Sequence, residues 1–349
     1  MKTNLITVRK LYQKKIMRLL DNDNVIFALG VRRAGKTCIA AQIYEQIKRR
    51  YADDGKVYFV NTEVGPRDDL YAEHAIEWFD SIYDPEKRIV LIVDEVNKFK
   101  DWERAANYSL KYPNVKLILF ASNRRVLSEK LDAFREGRYD VVEMLPLSFG
   151  EYVHFCGLRE IPPAARLQPD RMYADADDNH YTVDQVYDMF LSGRAMPSLD
   201  RDLKDDASMM IESDGMFSSI LVHDILEASS SMGLSTITDH ELLNSIVTVL
   251  VKSMGKNVSA TWVGKQTPDY IGRPSSTKTV ESSIKALVNS HLFYMVDRFD
   301  IKAEQKLKTL SKYYIVDMSL YRFIAGGLPE DRGVMLENRV YFELLRRGY

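Results

Sequence analysis

The sequence contains one short motif that strongly limits the folds open to the chain, G-x-x-x-x-G-K-T at residues 30–37 (GVRRAGKT). A β-favouring apolar run, residues 25–29, comes directly before it, and a helix-like run, residues 38–50, comes directly after it. Strand, glycine-rich turn and helix in this order are the setting in which the motif binds phosphate groups. The motif therefore predicts a nucleotide-binding site inside an α/β domain.

The spacing within the loop follows from the chemistry of anion binding. Gly30 and Gly35 allow backbone angles that side chains would block, so that successive N–H groups can point at phosphate oxygens. The helix that follows adds the positive end of its dipole. We expect Lys36 to reach the β- and γ-phosphates and Thr37 to offer its hydroxyl to Mg²⁺. The predicted nucleotide-binding residues are Gly30, Val31, Arg32, Arg33, Ala34, Gly35, Lys36, Thr37 and Cys38.

A second apolar run ends on two acids. Residues 89–93 (IVLIV) are typical of a parallel strand buried on both faces, and Asp94 and Glu95 follow at its end. Ligands collect at the carboxyl ends of such strands. We predict that Asp94 holds Mg²⁺ and that Glu95 polarises the water that attacks the γ-phosphate. Acids that only cap a turn would leave the same local pattern, and the phosphate loop upstream favours the catalytic interpretation.

A third apolar run, residues 115–121, ends in Ser122-Asn123. A polar side chain there would lie between the phosphate loop and the acid-bearing strand, where Asn123 or Ser122 could bind the attacking water or the γ-phosphate. An ordinary turn signal explains Ser-Asn equally well from the local sequence. The succession of strands and helices predicts a parallel α/β sheet with flanking helices. Ser148 and Glu151 then form the capping-box pattern of a further helix.

Composition excludes several classes of protein. Hydrophobic residues make up 46% and charged residues 28% of the 349, as in globular proteins, and no apolar run approaches the ~20 residues that span a bilayer. The first residues do not form a secretory signal, and two cysteines cannot supply a disulfide framework or a four-cysteine metal site. We therefore expect a cytoplasmic protein that does not bind a membrane.

Charge is distributed unevenly along the chain. Residues 1–50 carry 12 basic and 3 acidic residues, residues 160–245 carry 5 and 17, and residues 246–349 carry 16 and 10. This alternation indicates modules with different partners. A nucleic-acid surface and an ordinary solvated surface with attraction between modules are both compatible with it.

The second half reads as mostly helical. Residues 158–181 predict a linker or exposed loop, and residues 181–206 return to a helical pattern. Helices at 241–254 and 275–290, then strands at 293–299 and 312–316, are the order of a winged helix-turn-helix. Basic residues there could neutralise DNA phosphates, although such modules also bind proteins or cover ATPase sites. These residues are Lys278, Lys285, Lys302, Lys306, Lys308 and Lys312.

An ordered set of motifs resembles a prokaryotic AAA-type ATPase family with a winged-helix segment and a C-terminal domain of unknown function, number 4143. The matching segments are GVRRAGKT, LIVDE followed by a Trp, ILFASN, EGRYD, LPLSFGEY, MFLSGRAMPSL, LVHDIL, KYYIVDMSLYRFI and LENRVYFELLRRGY. Arg194 stands where the family usually has a second glycine, and His223 where it usually has arginine. The resemblance implies an AAA+-like fold, ATP as ligand, Asn123 as sensor and Arg138 as an arginine finger acting in a neighbouring subunit. A salt bridge or a solvated turn residue is the alternative for Arg138.

In that family the last helix opens a nuclease-like domain in which Glu337 would be one acid. The strand carrying the other acids is absent, so we expect a truncated C-terminal domain in which Glu337 is structural. The expected domains are an ATPase domain (1–157), an acidic linker and helical region (158–237), a winged helix (238–325) and the start of the truncated domain (326–349).

The predicted function is an ATP-binding and ATP-hydrolysing AAA-type switch or motor that uses Mg²⁺ and forms a homo-oligomer or binds a protein partner. One alternative is a nucleotide-gated regulator that binds DNA or protein with little turnover. Another is a regulator of the truncated nuclease-like domain.

Overall fold

The computed structural model describes residues 9–63, 71–163, 171–193, 195–197, 206–227, 239–300 and 305–349. The chain forms two compact units, residues 1–31 with 35–144, and residues 32–34 with 145–349. Within the described ranges, no helix has the length and hydrophobicity needed to cross a lipid bilayer.

The first unit is built on a five-stranded parallel sheet with strand order β2-β3-β4-β1-β5. The predicted parallel α/β sheet with flanking helices is therefore confirmed. Its helices and strands, in chain order, are α1 (Lys10–Leu19), β1 (Val25–Leu29), α2 (Lys36–Arg50), β2 (Gly55–Asn61), α3 (Ala72–Ile82), β3 (Arg88–Asp94), α4 (Trp102–Ser109), β4 (Val115–Ala121), α5 (Asp132–Arg135) and β5 (Tyr139–Glu143).

The sheet is buried on both faces because successive side chains of each strand enter different cores. Phe27 of β1 packs with Trp102 in the core that also includes Phe79 of α3. Ile26, its neighbour in sequence, joins the opposite core with Ile43 of α2. Continuous apolar runs such as that of β1 are the sequence signature of this arrangement. As all five strands run in parallel, the segments that follow β1, β3 and β4 meet at one edge of the sheet.

The second unit contains a small antiparallel sheet, a run of helices and an antiparallel strand pair. The predicted capping box between Ser148 and Glu151 is present at the start of α6. The helices and strands are α6 (Phe149–Phe155), β6 (Arg159–Glu160), β7 (Met172–Ala174), β8 (His180–Thr182), α7 (Val183–Leu191), α8 (Asp206–Ser219), α9 (His240–Lys252), α10 (Ala260–Gln266), α11 (Pro268–Ile271), α12 (Thr277–Asn289), β9 (Phe293–Asp300), β10 (Gln305–Ile315), α13 (Met318–Ala325) and α14 (Arg332–Arg347). A π-helical segment, Ile220–Glu227, continues α8.

The prediction of a linker at 158–181 is wrong for its described part, which forms β6, β7 and most of β8. The acidic run that suggested a loop makes the turn between two of these strands. Asp175 accepts hydrogen bonds from the backbone N–H groups of Asp177 and Asn179, at 3.0 and 2.9 Å, and from the Tyr181 hydroxyl at 2.9 Å. The Asp175 carboxylate thus organises a hairpin, which composition alone does not indicate.

The last strand, predicted at 312–316, is longer than expected. It begins at Gln305, so Lys306, Lys308 and Lys312 are strand residues, and Lys302 lies outside the described residues. The helix predicted at 181–206 ends at Leu191. The earlier start of β10 has a physical reason. Pairing with an antiparallel neighbour can stabilise polar strand residues that lie beyond the most apolar stretch of the sequence.

Gly193 occupies a position that no side chain can share. Its φ is +113°, and a Cβ atom there would lie 2.6 Å from the carbonyl carbon of Met318. The next described residue, Ala195, donates its N–H to Asp317 Oδ2 at 3.0 Å. Arg339, a residue of α14, has its Nη2 3.5 Å from the same oxygen. The close approach of Gly193 thus packs this turn against the start of α13, beside a buried ion pair.

We expect Gly193→Ala to destabilise the protein by about 2–5 kcal/mol, because the substitution adds a backbone collision to an unfavourable φ. Urea unfolding followed by circular dichroism measures the change. Gly150→Ala is the matched control: Gly150 lies in α6 with nothing near its Cβ position, so alanine should be neutral or slightly stabilising. Equal stability of the two variants would contradict the packing described for Gly193.

Candidate active site

The loop between β1 and α2 is held close to the sheet. The Gly30 N–H donates to the Ala121 carbonyl at 3.3 Å, and a Cβ at Gly30 would lie 2.5 Å from the Met144 carbonyl oxygen. Positive φ angles at Arg33 (64°) and Gly35 (85°) turn the chain before α2 begins. Such left-handed turns before a helix N-terminus are typical of loops whose N–H groups bind anions.

Lys36, at the start of α2, is buried and points back into this loop. Its ammonium donates to the Val31 carbonyl at 3.2 Å and forms an ion pair with Glu95 Oε1 at 3.1 Å. Both side chains of the pair are more than 90% buried. Thr37 and Cys38 are exposed in the first turn of α2. The structure therefore brings Lys36 and Glu95, predicted from separate motifs, into direct contact.

Asp94 is fully buried at the carboxyl end of β3. Asn61 Nδ2 lies 3.4 Å from Asp94 Oδ2, at the end of the neighbouring strand. Burial raises the pKa of Asp94 to about 6 and the charge of Glu95 adds to this, whereas hydrogen bonding from Thr37 and the charge of Lys36 oppose it. A carboxyl group whose charge is this costly is characteristic of sites that bind a positive ligand.

Glu95 follows in the left-handed conformation, with a φ of 53°. Thr62 stabilises this conformation: its hydroxyl donates to the carbonyls of Asp94, at 3.0 Å, and Glu95, at 2.7 Å. The Thr62 N–H also donates to the Asp94 carbonyl, at 3.2 Å. Thr62 therefore fixes the backbone from which both acids project.

Ser122 and Asn123 lie where β4 ends, and β4 is the strand between β1 and β3. Both residues are buried. Asn123 Oδ1 accepts a hydrogen bond from the Arg125 N–H at 2.9 Å and caps a 3₁₀ turn, Arg124–Val126. The asparagine thus acts as a turn residue at the position expected of a sensor.

Arg138 is separated from these groups. It immediately precedes β5, so it lies at the amino end of the sheet, whereas the loop and the two acids lie at the carboxyl ends. Its exposed guanidinium pairs with Glu136, with Nε 2.6 Å from Oε2. A contribution of Arg138 to catalysis would therefore have to be made in another subunit.

The middle of the phosphate loop, Arg32–Ala34, groups with the second unit. Arg32 Nε lies 3.0 Å from each carboxylate oxygen of Asp224, and Arg33 Nη1 lies 3.5 Å from the Glu212 carbonyl. From the sequence, Arg32 and Arg33 were predicted to bind nucleotide, and no contact with another part of the chain was predicted for them.

The site has donors suited to a Mg²⁺ ion that is shared with a nucleotide. Asp94 Oδ1 is buried and has no hydrogen-bond partner among the described residues, so a carboxylate oxygen remains for a hard cation. The described residues contain no cluster of three or more His, Cys, Asp or Glu side chains that could hold a metal by themselves. Asp94 and Thr37 thus fit an ion that takes its other ligands from phosphate and water.

Family models match both halves of the chain. Residues 22–153 match the model of the AAA domain, and residues 196–331 match that of a domain of unknown function, number 8612. Residues 22–153 are therefore similar to AAA domains, in agreement with the phosphate loop and the parallel sheet of the first unit. The second match corrects the expectation of domain 4143, which the resemblance had implied.

Two relatives that match most of the chain are uncharacterized proteins and therefore add no function. An uncharacterized protein of Haemophilus influenzae is 26% identical over 98% of this chain and 79% of its own length. An uncharacterized protein of Methanocaldococcus jannaschii is 22% identical over 95% of this chain and 69% of its own. A solved Walker-type ATPase of Pyrococcus abyssi superposes with a TM-score of 0.54 at 12% identity, over 91% of this chain and 95% of that one, and shows the fold.

Sequence reasoning missed Asn61, Thr62 and Asp224. Asn61 and Thr62 follow an apolar run, as the predicted site residues do, so polar residues at the end of β2 were a usable signal. Their importance depends on β2 being the neighbour of β3, which strand spacing does not reveal. Asp224 had no local signal, because it meets Arg32 from 192 positions away.

We expect Asp94→Asn to stabilise the nucleotide-free protein at neutral pH. The pKa of Asp94 is about 6 in the folded protein, above the ordinary 3.8. The stability that this one group contributes is therefore fully present below pH 3.8 and is lost as the pH rises through 6. The advantage of the asparagine variant should therefore grow by about 2 kcal/mol between pH 4 and pH 8. Urea unfolding with EDTA across this range measures it.

Asp84→Asn serves as a control of opposite sign. A hydrogen bond from the Glu86 N–H, and then the Lys56 ammonium, lower the pKa of Asp84. That variant should lose stability relative to wild type as the pH rises. An advantage of Asp94→Asn that does not change with pH would contradict the account of Asp94.

Proposed function

We propose that the protein binds and hydrolyses ATP as an AAA-type molecular switch or motor. The observation that carries the proposal is the buried contact between Lys36 and Glu95 beside Asp94, at the end of the sheet where the phosphate loop lies. A lysine, two acids and a helix N-terminus at this edge are the parts that phosphoryl transfer to water requires.

Each residue has a distinct role in the proposal. Loop N–H groups and Lys36 bind the phosphates, and Glu95 orients and polarises the attacking water. Thr37 and Asp94 would hold Mg²⁺, which supplies positive charge that neutralises the phosphate oxygens. Asn123 hydrogen-bonds the water or the γ-phosphate once its side chain leaves the Arg125 N–H.

The Lys36–Glu95 pair suggests how the site is kept inactive without nucleotide. While Glu95 Oε1 binds the ammonium of Lys36, this oxygen is not available to a water molecule. Phosphate oxygens compete with Glu95 for the same ammonium, because phosphate and the Glu95 carboxylate are both anions and the ion pair is buried. Nucleotide binding therefore frees Glu95 for its role as a base.

Arg138 is proposed to act in trans, within a homo-oligomer. Its exposed position before β5 supports this, because an arginine on the surface can enter a neighbouring site as an internal one cannot. Exchange of its Glu136 partner for phosphate would stabilise charge in the transition state.

Glu95→Gln tests the proposal. We expect ATP turnover to fall by about 100-fold or more, because the general base is lost. Binding of Mg·ATP should persist or tighten, as the substitution removes a negative charge from Lys36. Phosphate release and titration calorimetry measure the two quantities. Lys36→Ala should lose binding, and the exposed Glu77→Gln should resemble wild type.

Retained turnover in Glu95→Gln would exclude hydrolysis by this residue. Nucleotide binding by a wild-type protein without turnover would instead favour the nucleotide-gated regulator that binds DNA or protein.

A winged helix-turn-helix over α9 to β10 is the second part of the proposal. Four helices, α9 to α12, followed by an antiparallel strand pair support it, with α12 in the position of a recognition helix. Lys278 and Lys285 are exposed on α12 and are available to DNA phosphates. Lys312 is less available, because its ammonium binds Glu337 Oε1 at 2.7 Å.

The contacts of Glu337 favour a structural role for this acid. Oε1 accepts hydrogen bonds from Lys312 and from the Tyr314 hydroxyl, at 2.9 Å, so the carboxylate joins α14 to β10. Burial raises the pKa of Glu337, but hydrogen bonds from Lys312 and Tyr314 outweigh this and lower it. Regulation of a nuclease-like domain has no support from this residue.

DNA binding is tested with Lys278→Gln/Lys285→Gln. Loss of two phosphate contacts should reduce affinity for duplex DNA about tenfold and lower the salt dependence by about 2 in slope. A mobility-shift assay at several salt concentrations measures both. Lys111→Gln/Lys130→Gln removes the same charge from the first unit and is expected to have little effect. Absence of DNA affinity in wild type, or affinity that does not change with salt concentration, would refute the proposed DNA contact.

A further inference from the structure

The phosphate loop carries an arginine that is already bound to a carboxylate. Arg32 Nε lies 3.0 Å from both Asp224 Oδ1 and Oδ2. The Asp224 side chain is fully buried, and 15% of the Arg32 side chain is exposed. Burial of a charged pair with this geometry makes separation of its members costly.

The neighbouring residues strengthen the same attachment. Arg33 Nη1 lies 3.5 Å from the Glu212 carbonyl, and its Nη2 lies 3.7 Å from the Cβ position of Gly215. Arg32–Ala34 accordingly group with the second unit, although the residues on either side of them do not. Both loop arginines are thus held on α8 and its continuation.

Asp224 lies in the π-helical segment Ile220–Glu227. π-Helical turns are less favourable than α-helical ones and occur frequently at functional sites. The irregular helix here positions one buried acid against one loop arginine.

We propose that Asp224 is a positioning residue that holds Arg32 away from bound nucleotide and thereby sets a lower affinity for ATP. The inference rests on the proposed nucleotide site and adds a means of regulating it. Asp224 acts as an internal anion that competes with phosphate for the same guanidinium. Movement of the π-helical segment would release Arg32 and tighten binding.

The sign of the effect distinguishes this role from a structural one. Removing the Asp224 charge removes an anion that competes with phosphate for Arg32, so binding of a polyphosphate should become tighter. A residue that only stabilised the loop would give weaker binding when altered, because the loop would lose its shape.

The test compares Asp224→Asn with wild type by titration with Mg·ATP and with AMP. We expect about tenfold tighter binding of Mg·ATP, the value of one charge-assisted hydrogen bond, and little change for AMP. Asp224→Glu keeps the charge and should restore wild-type affinity. Arg32→Gln/Asp224→Asn should show no tightening over Arg32→Gln alone, because the guanidinium for which Asp224 and phosphate compete is absent from both.

Asp214→Asn is the matched control, as Asp214 is an exposed acid of α8. Thermal unfolding without nucleotide identifies variants that fail to fold, and Asp224→Ser is a second neutral variant for that case. Unchanged or weaker ATP binding in a folded neutral variant would overturn the inference. Absence of binding in wild type and Asp214→Asn would instead refute the proposed nucleotide site itself.

Discussion

The buried ion pair between Lys36 and Glu95 is the contact on which the candidate site depends. It joins the first residue of α2 to the residue after β3. It lies next to the carboxyl group of Asp94, and burial disfavours the charged form of that group. A parallel sheet buried on both faces makes this arrangement possible, because polar residues can emerge together only where its strands end. The packing of the first unit therefore determines where its chemistry can occur.

The candidate site contains buried charged groups that reduce the stability of the ligand-free protein. Asp94 is fully buried with a raised pKa, Glu95 has a left-handed backbone, and Lys36 is satisfied by an acid and a carbonyl. Each of these features reduces stability or leaves an interaction that phosphate and metal would replace. Thr62 holds the strained backbone in place through the carbonyls of both acids. Functional sites commonly contain strained or buried charged groups that lower the stability of the protein.

The strands, the loop and the two acids could be predicted from the sequence because their signals are local. An apolar run, two glycines at fixed spacing and polar residues directly after a strand all fall within short windows. The contribution of Thr62 could not, since it depends on which strands are neighbours. The Arg32–Asp224 contact depends on packing between distant segments, and the hairpin at Asp175 depends on side chains that stabilise a turn. In the second half, where the local signals were weaker, the predicted boundaries differ most from those observed.

The role of the Lys36–Glu95 pair can be tested by a crystal structure of the protein with Mg²⁺ and a non-hydrolysable ATP analogue. The decisive quantity is the distance from Lys36 Nζ to Glu95 Oε1, which is 3.1 Å here. We expect the ammonium to leave Glu95 for the phosphate oxygens, and Asp94 and Thr37 to lie beside the metal. A bound nucleotide that leaves the Lys36–Glu95 pair intact would contradict this expectation.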